Sequence, residues 1–163
     1  MNSISELRRI LGSCKTIAVV GLSPQWHRPS FFAAKYMQAH GYRIVPINPG
    51  ATEILGERSY ASVTDAAKAL AGEGLRIDMV DCFRKTDDIP PLADEAIAVG
   101  ARCLWQQIGV VNEAAANKAR EAGLDTVLDR CVKIEHARLF GGLNWAGVNT
   151  KVISSRRPQQ LPY

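Results

Sequence analysis

Residues 16–30, TIAVVGLSPQWHRPS, combine residue types that can bind a phosphate group. The apolar run at residues 16–20 is typical of a parallel strand buried on both faces, and Gly21 follows it where the backbone must turn sharply. Pro29 suits the first turn of a following helix. The free N–H groups of such a turn and the helix dipole both favour an anion, so this segment predicts a phosphate-binding turn.

Three polar side chains in the same loop can add hydrogen-bond donors, namely Ser23, Arg28 and Ser30. A guanidinium presents a planar fork of donors that matches phosphate oxygens, and such charge-assisted hydrogen bonds are strong. We therefore expect Arg28 to bind a phosphate.

Alternating strands and helices position this turn. Apolar runs predict five strands, at residues 16–20, 42–50, 77–83, 102–105 and 124–128. Helical patterns lie before, between and after them, at residues 5–14, 29–40, 63–71, 90–99, 112–122 and 132–139. This order favours βαβ units. The prediction is an α/β fold in three layers, with a doubly wound, mainly parallel five-stranded sheet, over residues 1–140. Residues 141–163 are expected to form an irregular tail, and Pro46 should keep the second strand short or at an edge.

Ligands of doubly wound sheets bind beyond the carboxyl ends of the strands, where the strand order reverses. The predicted strand ends present Gly21, Leu22 and Ser23, then Asn48 and Pro49, then Phe83 and Arg84, then Trp105 and Gln107, and finally Asp129, Arg130 and Cys131. These groups supply several donors and cations, two aromatic rings and one acid. The set favours an anionic ligand.

A nicotinamide dinucleotide is the main alternative ligand. Its fingerprint G-x-G-x-x-G requires further glycines, but none occurs at residues 22–26 after Gly21. The second strand should also end near an acid that binds ribose hydroxyls, whereas this one ends in Asn48 and Pro49. Both observations weaken an NAD(H)-binding enzyme or redox sensor, which stays the alternative hypothesis.

Five segments carry a family resemblance: VVGLSPQWHRPS, VPINPG, DCFRK, WQQIG and DRCVKIEH. Over about residues 14–136 the chain resembles the stand-alone coenzyme A-binding proteins, whose Rossmann-like domain is similar to the N-terminal domain of the succinyl-CoA synthetase alpha subunit. The resemblance implies a Rossmann-like CoA-binding domain. It also implies a cleft for the phosphates and adenosine of coenzyme A or an acyl-CoA, with the pantetheine arm running along the strand ends.

Residue by residue, the resemblance implies these ligand contacts: Gly21, Leu22, Ser23, Arg28, Ser30, Asn48, Pro49, Phe83, Arg84, Trp105 and Gln107. The synthetases use a lysine soon after the second-strand proline, but Ala51 and Thr52 stand here, and Arg58 or Arg84 could replace it. The synthetases also need a phosphorylated histidine from a following domain and a partner subunit. We therefore expect binding without catalysis.

The length, charge and apolar content of the chain limit the classes of function that it can have. With 163 residues, one domain is expected, and a net charge of +4 from 20 basic and 16 acidic residues does not favour nucleic acid. No run of about 18 apolar residues predicts a membrane span, and the polar start lacks the apolar region of a secretory signal, so a cytoplasmic protein is expected. No histidine has metal-ligand spacing, and nothing indicates a protein partner.

The cysteines are Cys14, Cys82, Cys103 and Cys131, without any C-x-x-C pair, and we expect reduced thiols. Cys82 and Cys103 lie in apolar runs and should be core residues. Cys131 could be a nucleophile assisted by Asp129 or His136. However, His136 is five residues further along a predicted helix and should not face it. A CoA-dependent thiol function of Cys131 stays a second alternative.

Overall fold

The computed structural model describes residues 2–141, so residues 142–163 of the predicted tail lie outside the described residues. Its elements follow in the order α1 (Ile4–Ser13), β1 (Thr16–Val20), α2 (Pro29–Ala39), β2 (Arg43–Ile47), β3 (Glu53–Ile54), β4 (Glu57–Arg58), α3 (Val63–Gly72), β5 (Met79–Cys82), α4 (Ile89–Ala98), β6 (Cys103–Gln106), α5 (Glu113–Glu121), β7 (Asp125–Val127) and α6 (Val132–Phe140). None of the helices within residues 2–141 is long and apolar enough to cross a membrane.

Five strands form one parallel sheet in the order β2-β1-β5-β6-β7. This confirms the predicted doubly wound α/β fold. The chain steps outward from β1 to β2 and then returns to place β5 on the other side of β1. The strand order therefore reverses between β1 and β5, and the residues that follow these two strands flank the crevice where such folds bind ligands.

Two helical layers cover the sheet. One core cluster joins α1, α2 and α6 to the side chains of Ile17, Val19 and Trp105. The other joins α3, α4 and α5 to the alternate strand positions, such as Ala18 and Leu104. Because both faces are covered, the central strands are buried along their length, which explains why their sequences are mostly apolar. Cys82 and Cys103 are buried as predicted.

The edge strand β2 carries Pro46, in agreement with the sequence prediction. The outer side of β2 meets Tyr60, whose N–H donates to the Pro46 carbonyl at 3.0 Å and whose carbonyl accepts from Asn48 N–H at 2.9 Å. A small antiparallel hairpin of β3 and β4 lies between them in sequence. The sequence predicts only a surface loop here, since strands of two residues are too short to show the alternation of apolar and polar residues.

Gly21 makes a close approach that only glycine permits. Its φ is +82°, and a Cβ atom there would collide with the carbonyl oxygen of Phe83, the residue after β5. Gly21 N–H also donates to the carbonyl of Ile47 at the end of β2, over 3.0 Å. The turn after β1 is thereby held against the ends of both neighbouring strands.

Asp81 of β5 is a buried acid in the core. It pairs in register with Val19 and Trp105, and 1% of its surface is exposed. Its Oδ1 accepts from Gln107 Nε2 at 2.6 Å, whereas Oδ2 has no hydrogen-bond partner among residues 2–141. Burial raises the pKa of this carboxyl to about 7, against the smaller lowering by the Gln107 hydrogen bond.

We predict that Gly21→Ala destabilises the fold by more than about 3 kcal/mol, because positive φ strain and the collision with the Phe83 carbonyl act together. Gly74→Ala is the matched control, since Gly74 has a φ of +73° and open space where a Cβ would lie. That variant should lose about 1 kcal/mol. Urea unfolding measures both, and equal losses would contradict the proposed close contact.

We also predict that Asp81→Asn changes the pH dependence of stability. The folded-state pKa of about 7 lies above the unfolded value of about 4, so the free energy of unfolding of the wild type falls as pH rises between them. The variant lacks this loss and should gain a few kcal/mol relative to the wild type by about pH 8. Urea titrations from pH 5 to 8 measure the difference.

In both proteins His136 gives the free energy of unfolding the opposite dependence on pH. Burial lowers the pKa of His136 to about 4, so the free energy of unfolding falls as pH falls below the ordinary pKa of histidine. The difference between wild type and Asp81→Asn therefore isolates the carboxyl. Parallel stability curves for the two proteins would show that Asp81 is charged throughout.

Candidate functional site

The turn after β1 is shaped by its own polar side chains. Ser23 N–H donates to Ser30 Oγ at 3.0 Å, and Gln25 N–H donates to Ser23 Oγ at 3.1 Å. The two serine oxygens predicted to bind a ligand thus already accept hydrogen bonds within the loop. By contrast, the N–H group of Ser30, in the first turn of α2, has no hydrogen-bond partner among residues 2–141 and can donate to an anion, whereas Leu22 is fully buried.

Asn48 joins the end of β2 to the same turn. Its Nδ2 donates to the Leu22 carbonyl at 2.9 Å, and its Oδ1 accepts from Gly50 N–H at 2.8 Å. Both ends of the amide are engaged, so the side chain positions two loops relative to each other. Pro49 follows it and is exposed at the edge of the sheet.

Arg28 stands at the N-terminus of α2. It has extended backbone angles and is followed by Pro29 in the first helical turn, as the sequence predicted. Its Nε donates to Gln25 Oε1 at 3.3 Å, and its side chain is exposed. No carboxylate among residues 2–141 lies within ion-pair distance of Arg28, so its terminal nitrogens are available to a phosphate.

Arg84 is the second cation at the switch point. Its Cδ lies 3.4 Å from the position that a Cβ of Gly21 would occupy, so its stem crosses the turn after β1. The guanidinium of Arg58, the other cation that the sequence left open, instead lies over the Tyr60 ring at 5.3 Å. Phe83 is half-buried and packs on the core beneath Arg84.

Trp105 and Gln107 lie in the layer beneath this edge. The Trp105 ring is fully buried, and its Nε1 donates to the Arg130 carbonyl at 2.7 Å. Gln107 is buried and bonded to Asp81. A ligand would touch either side chain only after a rearrangement. Contacts join Gly21 to Arg84 and Asn48 to Leu22 at this edge, and the exposed Arg28 lies further along the loop that Gly21 begins.

Cys131 lies at the N-cap of α6 and is half-buried, whereas Cys14, Cys82 and Cys103 are buried. Burial raises the pKa of the Cys131 thiol, and hydrogen bonds from the backbone of Ile134 and Lys133 oppose this only in part. Such a thiol is a weak nucleophile at neutral pH.

The two residues predicted as possible assistants of Cys131 have other partners. Nδ1 of His136 lies 3.0 Å from the Tyr36 hydroxyl, and Oδ1 of Asp129 accepts from Gly109 N–H at 2.7 Å. Asp129 also has a φ of +57°, so its backbone forms a tight turn after β7. The arrangement forms no assembled nucleophile and base.

Concave surfaces of the described residues occur away from the strand ends of the switch point. One lies beside Ile4, Arg8 and Arg9 of α1, and another beside Arg43 and Glu73, next to β2 and α3. In the first, Arg9 is paired with Asp125, and the second holds Arg43 in ion pairs with Glu57 and Glu73. An arginine of each of these surfaces is thus already paired with a carboxylate, whereas no carboxylate among residues 2–141 is paired with Arg28 in the loop after β1.

The sequence reasoning assigned no role to Asp81. In the sequence it stands out only as an acid within a predicted apolar strand. That its Oδ2 has no hydrogen-bond partner among residues 2–141 follows from the packing of the helices on the sheet, which the sequence alone does not show.

Comparisons with known proteins agree with this fold. The Bacillus subtilis (strain 168) protein YneT is 38% identical over 135 residues, which are 83% of this chain and 95% of that protein. A solved structure of a hypothetical protein from Pyrococcus horikoshii OT3 has 38% identity and a TM-score of 0.78, covering 86% of this chain and 94% of its own.

A more distant structure shows the fold alone. The dinucleotide-forming acetyl-coenzyme A synthetase 1 of Ca. Korarchaeum cryptofilum has 20% identity and a TM-score of 0.59, over 74% of this chain and 27% of its own. The similarity confirms that the Rossmann-like fold predicted here also occurs within a CoA synthetase.

A family model described as a CoA binding domain matches residues 15–137, from the start of β1 to the middle of α6. The match includes every strand of the parallel sheet and every predicted site residue. The chain therefore belongs to the CoA-binding domain family.

Proposed function

We propose that this protein binds coenzyme A or an acyl-CoA at the switch point between β1 and β5, through the phosphates and adenosine, and catalyses no reaction of its own. Family membership supports CoA binding in general. The observation that carries the finer proposal is the glycine turn at the switch point, where Gly21 lies against Phe83 and the stem of the exposed Arg84, with the exposed Arg28 on the same loop.

The charge of the ligand fits the groups at this edge. Coenzyme A carries a diphosphate and a 3′-phosphate, which are several negative charges in a small volume. The N–H group of Ser30 lacks a partner among the described residues, Arg28 stands two residues before it with no carboxylate paired to its guanidinium, and the exposed Arg84 lies beside Gly21. Backbone N–H groups at a helix start and planar guanidinium forks are both suited to phosphate oxygens.

The NAD(H) alternative lacks a ribose acceptor at the end of β2. In dinucleotide sites an acid at this place accepts hydrogen bonds from the ribose hydroxyls. Here Asn48 occupies it, and both ends of its amide are already bonded to Leu22 and Gly50. This engagement supports CoA over NAD(H).

The proposal of binding without catalysis is supported by the state of the candidate catalytic groups. The Cys131 thiol has a raised pKa, and His136 and Asp129 are hydrogen-bonded to Tyr36 and Gly109 respectively.

The alternative of a thiol function has a direct test. Intact-protein mass spectrometry after exposure to CoA disulfide should show no adduct at Cys131. An adduct that disappears in Cys131→Ser would replace simple binding with a thiol-dependent function.

We predict that coenzyme A binds to the wild type and that Arg28→Ala and Arg84→Ala each weaken this binding by about tenfold or more, because each removes a charge-assisted hydrogen bond to phosphate. Isothermal titration calorimetry measures the dissociation constants. Arg8→Ala is the matched control, since Arg8 is an exposed arginine on α1.

The control should bind coenzyme A as the wild type does, and NAD(H) should bind more weakly than coenzyme A. No binding of coenzyme A at millimolar concentration would refute the proposed function. Equal losses in all three arginine variants would show that general charge, and not the switch point, governs binding.

A further inference from the structure

Trp26 is a large aromatic side chain left open to solvent beside the phosphate turn. Its surface is 72% exposed, whereas Trp105 is completely buried. Tryptophan is highly buried on average in folded proteins, and the exposed indole beside this turn is available to a ligand.

The loop that carries Trp26 is folded and not merely extended. Arg28 N–H donates to the Gln25 carbonyl at 3.0 Å, and Arg28 Nε reaches Gln25 Oε1 at 3.3 Å. Gln25 N–H is bonded in turn to Ser23 Oγ at 3.1 Å. These bonds close a turn with Trp26 between Gln25 and Arg28, which places the indole two residues from the phosphate-binding guanidinium.

Among residues 2–141, the indole is stacked on no other ring. The rings of Trp26 and His27 stand at 81° with their centroids 5.9 Å apart, which is an edge-to-face contact. Stacking on the indole face is therefore left to a ligand. A nucleotide whose phosphates bind beside Trp26 has one flat group that can stack on the indole, which is its base.

We propose that Trp26 is the stacking platform for the adenine base of the bound nucleotide. The inference rests on the proposed function, because coenzyme A is the ligand that would bring an adenine to this edge. Aromatic stacking recognises the π-face of the base, and Arg28 on the same loop holds the phosphates that follow it. Trp26 thus makes the site select for the nucleotide end of coenzyme A over the pantetheine end.

The test separates the two ends of the ligand. Calorimetry compares coenzyme A, adenosine 3′,5′-bisphosphate and 4′-phosphopantetheine on wild type, Trp26→Leu and Trp26→Phe. Trp26→Leu should weaken coenzyme A and adenosine bisphosphate about five- to hundredfold and leave phosphopantetheine unchanged. Trp26→Phe should retain part of the affinity, because phenylalanine also stacks.

Phe32→Leu is the matched control, since Phe32 is an exposed aromatic residue on α2 close in sequence to the same loop. It should bind all three ligands as the wild type does. Unchanged urea midpoints for every variant would confirm that the substitutions leave the fold intact, as the exposure of both side chains leads us to expect.

Fluorescence gives an independent readout. Adenosine bisphosphate should quench tryptophan emission in the wild type, and the quenching should be absent in Trp26→Leu at saturating ligand. Trp105 is buried and Trp145 lies outside the described residues, but both are present in both proteins, so the difference reports Trp26.

Wild-type affinity for coenzyme A in Trp26→Leu would overturn the stacking proposal while leaving the proposed function intact. An equal loss for phosphopantetheine and adenosine bisphosphate would also overturn it, since the effect would then not come from the base. Failure of the wild type to bind any of the three ligands would refute both proposals.

Discussion

The contact between Gly21 and the Phe83 carbonyl is the constraint on which the site depends. The parallel sheet brings the ends of β1 and β5 side by side, and the turn after β1 can pass Phe83 only because Gly21 has no Cβ. Once the turn takes this course, α2 begins at the same edge and Arg84 lies across the glycine. The Ser30 N–H at the start of α2 and the exposed Arg28 and Arg84 then all lie on the segments that follow β1 and β5.

The polar groups around this crevice divide into those that hold its shape and those that can meet a ligand. Ser23, Ser30 and Asn48 accept or donate hydrogen bonds within the loops and join the ends of β1 and β2. The terminal nitrogens of Arg28 have no protein acceptor among the described residues, and Arg84 is exposed. A preformed turn of this kind places its donors before the ligand arrives, which lowers the entropic cost of binding.

Much of the fold followed from local sequence patterns. The strand at residues 16–20 was predicted with its observed bounds, and Pro46 correctly indicated an edge, because buried parallel strands and proline have strong local requirements. The hairpin of β3 and β4 escaped prediction. Trp105 shows a further limit: β6 continues to Gln106, so the ring that seemed to end a strand lies within it and points into the core. An aromatic residue near a strand end has the same local sequence whether its ring is buried in the core or lines the ligand site. Only tertiary packing decides between these two places.

The central claim is that coenzyme A binds at the switch point between β1 and β5. A titration followed by two-dimensional amide NMR tests it most directly, because it locates the ligand without altering the protein. Binding at this edge should produce the largest shifts in the turn and helix start at residues 21–30 and at Phe83 and Arg84. Shifts concentrated instead at the amino ends of the strands, near Lys15 and Asp78, would contradict it.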